Sequence, residues 1–240
     1  MDFLDTYSLK ARLFPAILTI APAVILCLLC ASWVDPGLPE AIATVAVMVL
    51  FFAASNLARR FGRAKEKEVF SGTGGRPHNP ELTHADSTFP ASQKARYRDY
   101  LAAQLGLSAP TAEDERLHSD EAQNFYSQAY GYLRENTRDT EVFKVLFNEN
   151  ISYGYYRNLL GLKPIGIVLN FLSLCAAFAI VHYQPEFAAL SAGKLVVLCG
   201  LSALHLLYFV FGVSRKVMLD ASAIYARQLV LSTETLMKRG

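Results

Sequence analysis

Four runs of apolar residues, at about 13–34, 41–57, 165–183 and 194–213, constrain this chain more than any other feature. A helix needs ~20 such residues to cross the hydrocarbon of a bilayer. Inside lipid the backbone has no water to bond to, so it must satisfy its own N–H and C=O groups, and a helix does this within one segment. The reading is therefore all-α: an integral membrane protein with two transmembrane helical hairpins, four spans in all, flanking a small helical cytosolic domain. Apolar residues make up 52% of the chain and charged residues 18%, an imbalance concentrated in the four runs. The net charge of +2 gives no nucleic-acid footprint, and no direct nucleic-acid binding is expected.

Charge beside the runs sets the expected orientation. Lys10 and Arg12 precede the first run, which contains Pro15 and Pro22. A cleavable signal peptide is the competing reading, but the run is long and a second follows at once, so a retained anchor is expected. The turn Asp35-Pro36-Gly37-Leu38-Pro39-Glu40 holds two acids and no base and should lie outside. Behind the second run stand Arg59, Arg60, Arg63, Lys65 and Lys67, the excess of cations that marks a cytoplasmic face. The same cluster would attract anionic lipid. The third and fourth runs repeat this in–out–in logic, with Arg215 and Lys216 after them. The chain then divides into an N-terminal hairpin (1–57), a cytosolic helical domain (58–162), a C-terminal hairpin (163–213) and a cytosolic C-terminal helix (214–240) continuing from the fourth span. Both termini are expected in the cytosol.

In the soluble region, a loop rich in Gly, Pro, Ser, Thr and His is followed by three short helices. Tyr97, Leu101 and Leu105 recur every four residues, with Ser92 as N-cap and Gly106 past the end. After the loop SAPTAEDERLH, Ser119 or Asp120 caps a helix whose face carries Ala122, Phe125, Ala129 and Leu133 or Tyr132. A third begins near Asp139 or Thr140 and buries Phe143, Leu146, Phe147 and Ile151. Gly161 and Pro164 then read as a helix end, with a new helix starting at the membrane. On the C-terminal helix Met218, Ala221, Tyr225 and Leu229 form an apolar stripe.

No nucleophile elbow, zinc-protease helix, Walker motif or dinucleotide fingerprint is present, so a non-enzymatic protein without cofactor or metal is expected. Gly72-Thr73-Gly74-Gly75 lacks the lysine and hydroxyl of a phosphate loop. His78, His84 and Asp86 have no spacing that sets two metal ligands on one face, and read as solvated loop residues. Cys27, Cys30, Cys175 and Cys199 all fall in apolar runs, where a thiol packs as a small hydrophobe.

Two groups of residues carry functional interest. At the junction, Asn148, Glu149, Asn150, Tyr153, Tyr156, Arg157, Asn158 and Lys163 hold more hydrogen-bonding capacity than a connector needs. Arginine and tyrosine there can clamp a nucleotide or other anion. The plainer reading is an interfacial belt with buried polar contacts, and Glu149 with Arg157 can also pair between subunits. Within the spans, Asn170 and His205, with Ser173 and Ser202, either bond helix to helix or line a pathway.

The stretches RPHNPELTHADSTFPASQKARY, PTAEDE, YLRENTRDTEVFKVLFNENISYGYYRNLLGLKPIG and AIYARQLVLSTETL resemble an uncharacterised group of bacterial multi-pass membrane proteins. The four-span layout around a cytosolic domain also resembles the four-helix membrane effectors of bacterial anti-phage nucleotide-signalling systems. These likenesses imply a protein of the bacterial inner membrane, which is breached on a trigger. The leading expectation is a homo-oligomer in the lipid bilayer whose cytosolic domain senses a nucleotide second messenger or protein partner and passes the event through the 139–163 helix to alter membrane permeability. A membrane-anchored scaffold for a cytosolic partner, without a pore, is the alternative.

Overall fold

The computed structural model describes residues 5–30, 40–73, 77, 80–184 and 190–239, with the backbone alone for residues 40–51. The expected outer turn at 35–39, Gly74, Gly75, His78 and the 185–189 turn lie outside the described residues. Among the described residues every regular element is helical. In chain order these are α1 (Phe14–Cys30), α2 (Glu40–Val69), α3 (Ala91–Leu105), α4 (Ala112–Leu117), α5 (Ser119–Asn136), α6 (Lys144–Tyr183), α7 (Ala192–Leu207) and α8 (Arg215–Met237). A π-helical turn, Ser8–Leu13, leads into α1, and another, Tyr208–Gly212, completes α7.

Three helical segments are long and apolar enough to cross a membrane, not the expected four: Ser8–Cys30, Lys144–Tyr183 and Ala192–Gly212. They suggest a membrane protein. The expected second span falls in α2, a helix whose C-terminal half is strongly basic, and the side chains of its residues 40–51 lie outside the described residues.

The chain forms two compact units. The first, Met1–Arg76 with Gly154–Met218, holds α1, α2, most of α6 and α7. Gly161 and Pro164 do not end a helix here, since α6 is continuous from Lys144 to Tyr183. Gly161 is instead where α6 touches α2: a Cβ on it would stand 2.5 Å from the Phe61 carbonyl carbon and oxygen. A Cβ on Gly62 would stand 2.8 Å from the Asn158 Cα. The missing side chains let the two backbones meet. One turn further along the crossing, Ala16, Ala58 and Leu162 pack together. The fourth run does not continue into the C-terminal helix either. Val213 turns the chain out with φ −88° and ψ 98°, and the Ser214 hydroxyl accepts from the Val217 N–H to start α8.

The second unit, Pro77–Tyr153 with Leu219–Gly240, is a helical assembly around an aromatic core. Tyr97 and Leu101 of α3, Phe125, Ala129 and Leu133 of α5, and Phe143 and Leu146 are buried together, as the spacing predicts, and Tyr126 and Tyr130 of α5 join them. Leu229 and Val230 of α8 join that core. The C-terminal helix is thus an integral wall of this unit. Pro90 takes the N-cap position of α3 where Ser92 was expected, while Gly106, at φ +64°, closes the helix in the left-handed conformation. The segment 108–118, read as a loop, contains α4, nucleated by a reciprocal cap. The Thr111 hydroxyl accepts from the Asp114 N–H and the Asp114 carboxylate from the Thr111 N–H. Asp139 caps the turn into α6, its carboxylate accepting from the N–H groups of Glu141 and Val142.

Candidate functional site

Pro22 has no N–H, so the Leu18 carbonyl one turn back in α1 loses its helical partner. His205 of α7 supplies the replacement, its Nε2 lying 3.0 Å from the Leu18 oxygen. A carbonyl only accepts, so Nε2 carries the proton and Nδ1 is left as an acceptor. Asn170 of α6 fills that role with its Nδ2 at 2.9 Å, and the same nitrogen donates to the Ser202 carbonyl at 2.9 Å. One ring and one amide therefore tie α1, α6 and α7 with one neutral tautomer and both amide hydrogens spent. Phe209 stacks on the His205 ring at 4.3 Å between centroids, against Gly166, where a Cβ would meet the phenyl edge at 2.5 Å. Asn170 is 1% exposed. Ser173 and Thr19 turn their hydroxyls onto carbonyls of their own helices, Leu169 and Pro15. The Ser202 hydroxyl is buried without a partner among the described residues.

The eight junction candidates are divided between the two units. Asn148, Glu149, Asn150 and Tyr153 fall in the second. Asn148 is exposed, Glu149 and Asn150 are partly so, and Tyr153 is buried with its ring stacked on Tyr225 at 6.2 Å. Tyr156, Arg157, Asn158 and Lys163 fall in the first. Tyr156 packs edge-on against Tyr155 at 5.3 Å. Arg157 pairs with Glu66 of α2 at 3.3 Å, both side chains largely buried, and its Nε donates to Asn158 Oδ1 at 3.3 Å. Asn158 is fully buried and donates to the Ala11 carbonyl at 2.7 Å. This is a structural joint between α2, α6 and the first π turn. The partner of Arg157 is Glu66 of the same chain, where pairing with Glu149 of a neighbour had been considered.

Lys163 lies at one end of the apolar helices, donating to the carbonyls of Val210 (3.0 Å) and Val213 (2.8 Å). Lys194 does the same at the other end of α7, reaching the Leu29 carbonyl at 2.7 Å. Each ammonium satisfies carbonyls at a helix C-terminus, where the helix dipole also favours a cation. Lys194, Glu66 and the Gly62–Gly161 contact were not anticipated from the sequence. The paired small residues and the Pro22–Leu18 spacing were the legible signals.

The second unit holds a polar network that also went unanticipated. Lys94, 3% exposed, donates to the carbonyls of Thr83 (2.7 Å), His84 (3.3 Å) and Asp86. Arg98 donates to the Leu82 carbonyl at 2.8 Å and to His84 Nε2 at 2.9 Å. With Nε2 accepting, the His84 proton sits on Nδ1 and is given to Glu115 at 2.8 Å. Tyr126 donates to the same carboxylate, and Tyr130 donates to Glu81 at 2.9 Å. His84 and Asp86 are therefore parts of a clamp that fixes the 81–88 segment, not free loop residues. Burial alone would raise the Glu115 carboxyl, but the hydrogen bonds from Tyr126 and His84 outweigh it and hold it below its usual range. Burial wins at Glu81, which is raised despite its backbone and Tyr130 bonds. His84 has both ring nitrogens engaged, so it offers no free base to a substrate. Among the described residues no three His, Cys, Asp or Glu side chains converge on a metal position, and the four cysteines are unpaired. Compared with protein-family models, with curated proteins and with solved structures, the chain matches none, so the family resemblance rests on the residues quoted for it alone.

Proposed function

We propose that the chain is a multi-pass protein of the bacterial inner membrane that crosses four times, keeps both termini in the cytosol, and presents its second unit there as a docking adaptor for a soluble partner. The remaining span, second in chain order, would be the N-terminal half of α2. In support, Arg215 donates to the Val69 carbonyl, putting the end of α2 beside the start of α8, whereas Lys194 joins the end of α1 to the start of α7. An α-helix of 30 residues ending at Val69 is ~45 Å long, enough to return across the bilayer. The basic cluster from Arg59 to Lys67 then lies on the cytosolic side.

The observation that carries the adaptor reading is the state of Asn170 and His205. Both amide hydrogens of Asn170 and both ring nitrogens of His205 are consumed in bonds between helices. Polar groups that line a path for ions must instead face water. A permeability effector, assembling as a homo-oligomer on a nucleotide signal in anti-phage defence, is the second reading. His205 favours it, as the one titratable ring where three helices are tied. Purified protein in liposomes should retain a trapped dye, with and without cyclic oligonucleotides, and affinity purification from native membranes should recover a stoichiometric soluble protein. Ligand-dependent leakage would replace the adaptor with the effector.

A further inference from the structure

At the end of the first unit where Lys163 caps the terminal π turn, a cleft of about 430 Å³ opens between α2, α6 and the start of α8. Three of its lining residues are cations, Lys65, Lys163 and Arg215, against a single acid, Glu68. Lys65 is bonded to Glu68 at 2.5 Å, so that acid is already matched. Lys163 spends two hydrogens on carbonyls and Arg215 one, at 3.0 Å from Val69 O. An ammonium has three donors and a guanidinium five, so one hydrogen of Lys163 and most of the Arg215 fork have no acceptor among the described residues. The cleft thus holds more positive charge and more donors than the chain uses.

Its remaining wall is apolar, made by Val69, Leu160, Pro164 and Ile167. Pro164 repeats in α6 what Pro22 does in α1: it removes the N–H that the Leu160 carbonyl would take. At Pro22 the released carbonyl is met by His205, whereas Leu160 lines the cleft. From Pro164 the wall continues along one face of α6 through Val168, Phe171 and Leu172, which are 55%, 66% and 54% exposed. Those positions follow Pro164 at helical spacing, so they form a single outward stripe.

We propose that this cleft is a binding site for the phosphate of an anionic glycerophospholipid, with one acyl chain laid on the 164–172 stripe. Arg215 and Lys163 hold the phosphate oxygens, the guanidinium through paired N–H groups that match a tetrahedral anion. A free phosphate would use the cations but has no use for the apolar stripe, which is why the occupant is a lipid. The site rests on the membrane reading above, because only a bilayer brings a headgroup and an acyl chain to this height together.

The test is native mass spectrometry of the full chain in detergent, titrated with phosphatidylglycerol, phosphatidylcholine or inorganic phosphate, preceded by alkaline carbonate washing of the source membranes. One phosphatidylglycerol should be retained with a preference of about tenfold over phosphatidylcholine, the scale of one charge-assisted contact pair. Arg215→Gln should abolish that preference, Arg215→Lys should restore part of it, and Lys216→Gln, next door and outside the cleft, should leave it intact. Equal retention of the two lipids, or an unchanged preference in Arg215→Gln, overturns the site while leaving the membrane reading in place. Displacement of the lipid by millimolar phosphate also overturns it, in favour of a free anion. Release of the chain by carbonate overturns both.

Discussion

The two units solve the same problem, packing helices, with opposite distributions of side chains. In the first, large apolar residues such as Phe171, Val196, Leu204 and Phe211 stand outside, and Thr19, Asn158, Asn170, Ser173 and Ser202 are inside. In the second, Tyr97, Leu101, Phe125, Leu133 and Leu229 are inside. For a first unit in lipid, as proposed, the surroundings are as apolar as leucine, so burying leucine gains nothing and helices are held by close backbone approach and a few hydrogen bonds. Where the surroundings are water, removing aromatic and aliphatic surface is itself the driving force. The second unit adds two buried cations, Lys94 and Arg98, which pin a non-helical segment onto the core.

Glycine substitution tests this contrast most severely. Gly161→Val should cost more than ~3 kcal/mol or prevent assembly, because the new side chain meets Phe61 backbone that cannot swing away. Gly131→Ala in α5, where a Cβ meets nothing within 4 Å, should be neutral or gain up to ~1 kcal/mol of helix stability. Thermal unfolding of both variants in detergent decides the matter; equal effects would break the distinction between the units.

A smaller loss is expected from Lys94→Met, about 2–3 kcal/mol, as three carbonyls of the 83–86 segment lose their donor. Hydrogen exchange should show the loss confined to residues of the second unit. For the first unit, His205→Leu leaves the Leu18 carbonyl and one Asn170 hydrogen unmatched, at about 1–2 kcal/mol. Asn170→Leu combined with His205→Leu should then cost less than the sum of the two single changes, since they share one bond. Additive effects would mean the two side chains act separately.

The smallest effects are those of pH, and they run in opposite directions inside one unit. The Glu115 carboxyl is held low in the folded chain, so its contribution is present above the ordinary glutamate value and fades as pH falls through the folded one. Glu81 is raised, so folding favours its neutral form: that contribution is present at acid pH and lost as pH rises through the folded value. At pH 7, Glu115→Gln should therefore destabilise and Glu81→Gln should stabilise. Both differences should shrink in acid, as read from unfolding midpoints across a pH series.

The helical composition, three of the four expected apolar helices, and the core positions Tyr97 and Leu101 of α3 and Phe125, Ala129 and Leu133 of α5 were readable along the chain. Periodicity and run length are local properties, and they survive whatever the tertiary structure does. What the chain order concealed was every relation between distant segments. Gly161 and Pro164 carry the local signature of a helix end, yet α6 runs through both. At Gly161 the missing side chain is used for contact with Phe61, and helices on either side can absorb the bond that Pro164 removes. The partner of Arg157 is 91 residues away in sequence, that of Asn158 147 away, and that of His205 at Leu18 187 away. The C-terminal helix has the stripe of an amphipathic helix, but nothing in the stripe says that Leu229 and Val230 pack with α3 and α5. Sequence thus determined the apolar helices and the faces of α3 and α5 that avoid water. Only the tertiary structure decided which face meets which, because that choice depends on steric fit and on donors finding acceptors across space, and neither is encoded in any one window of the chain.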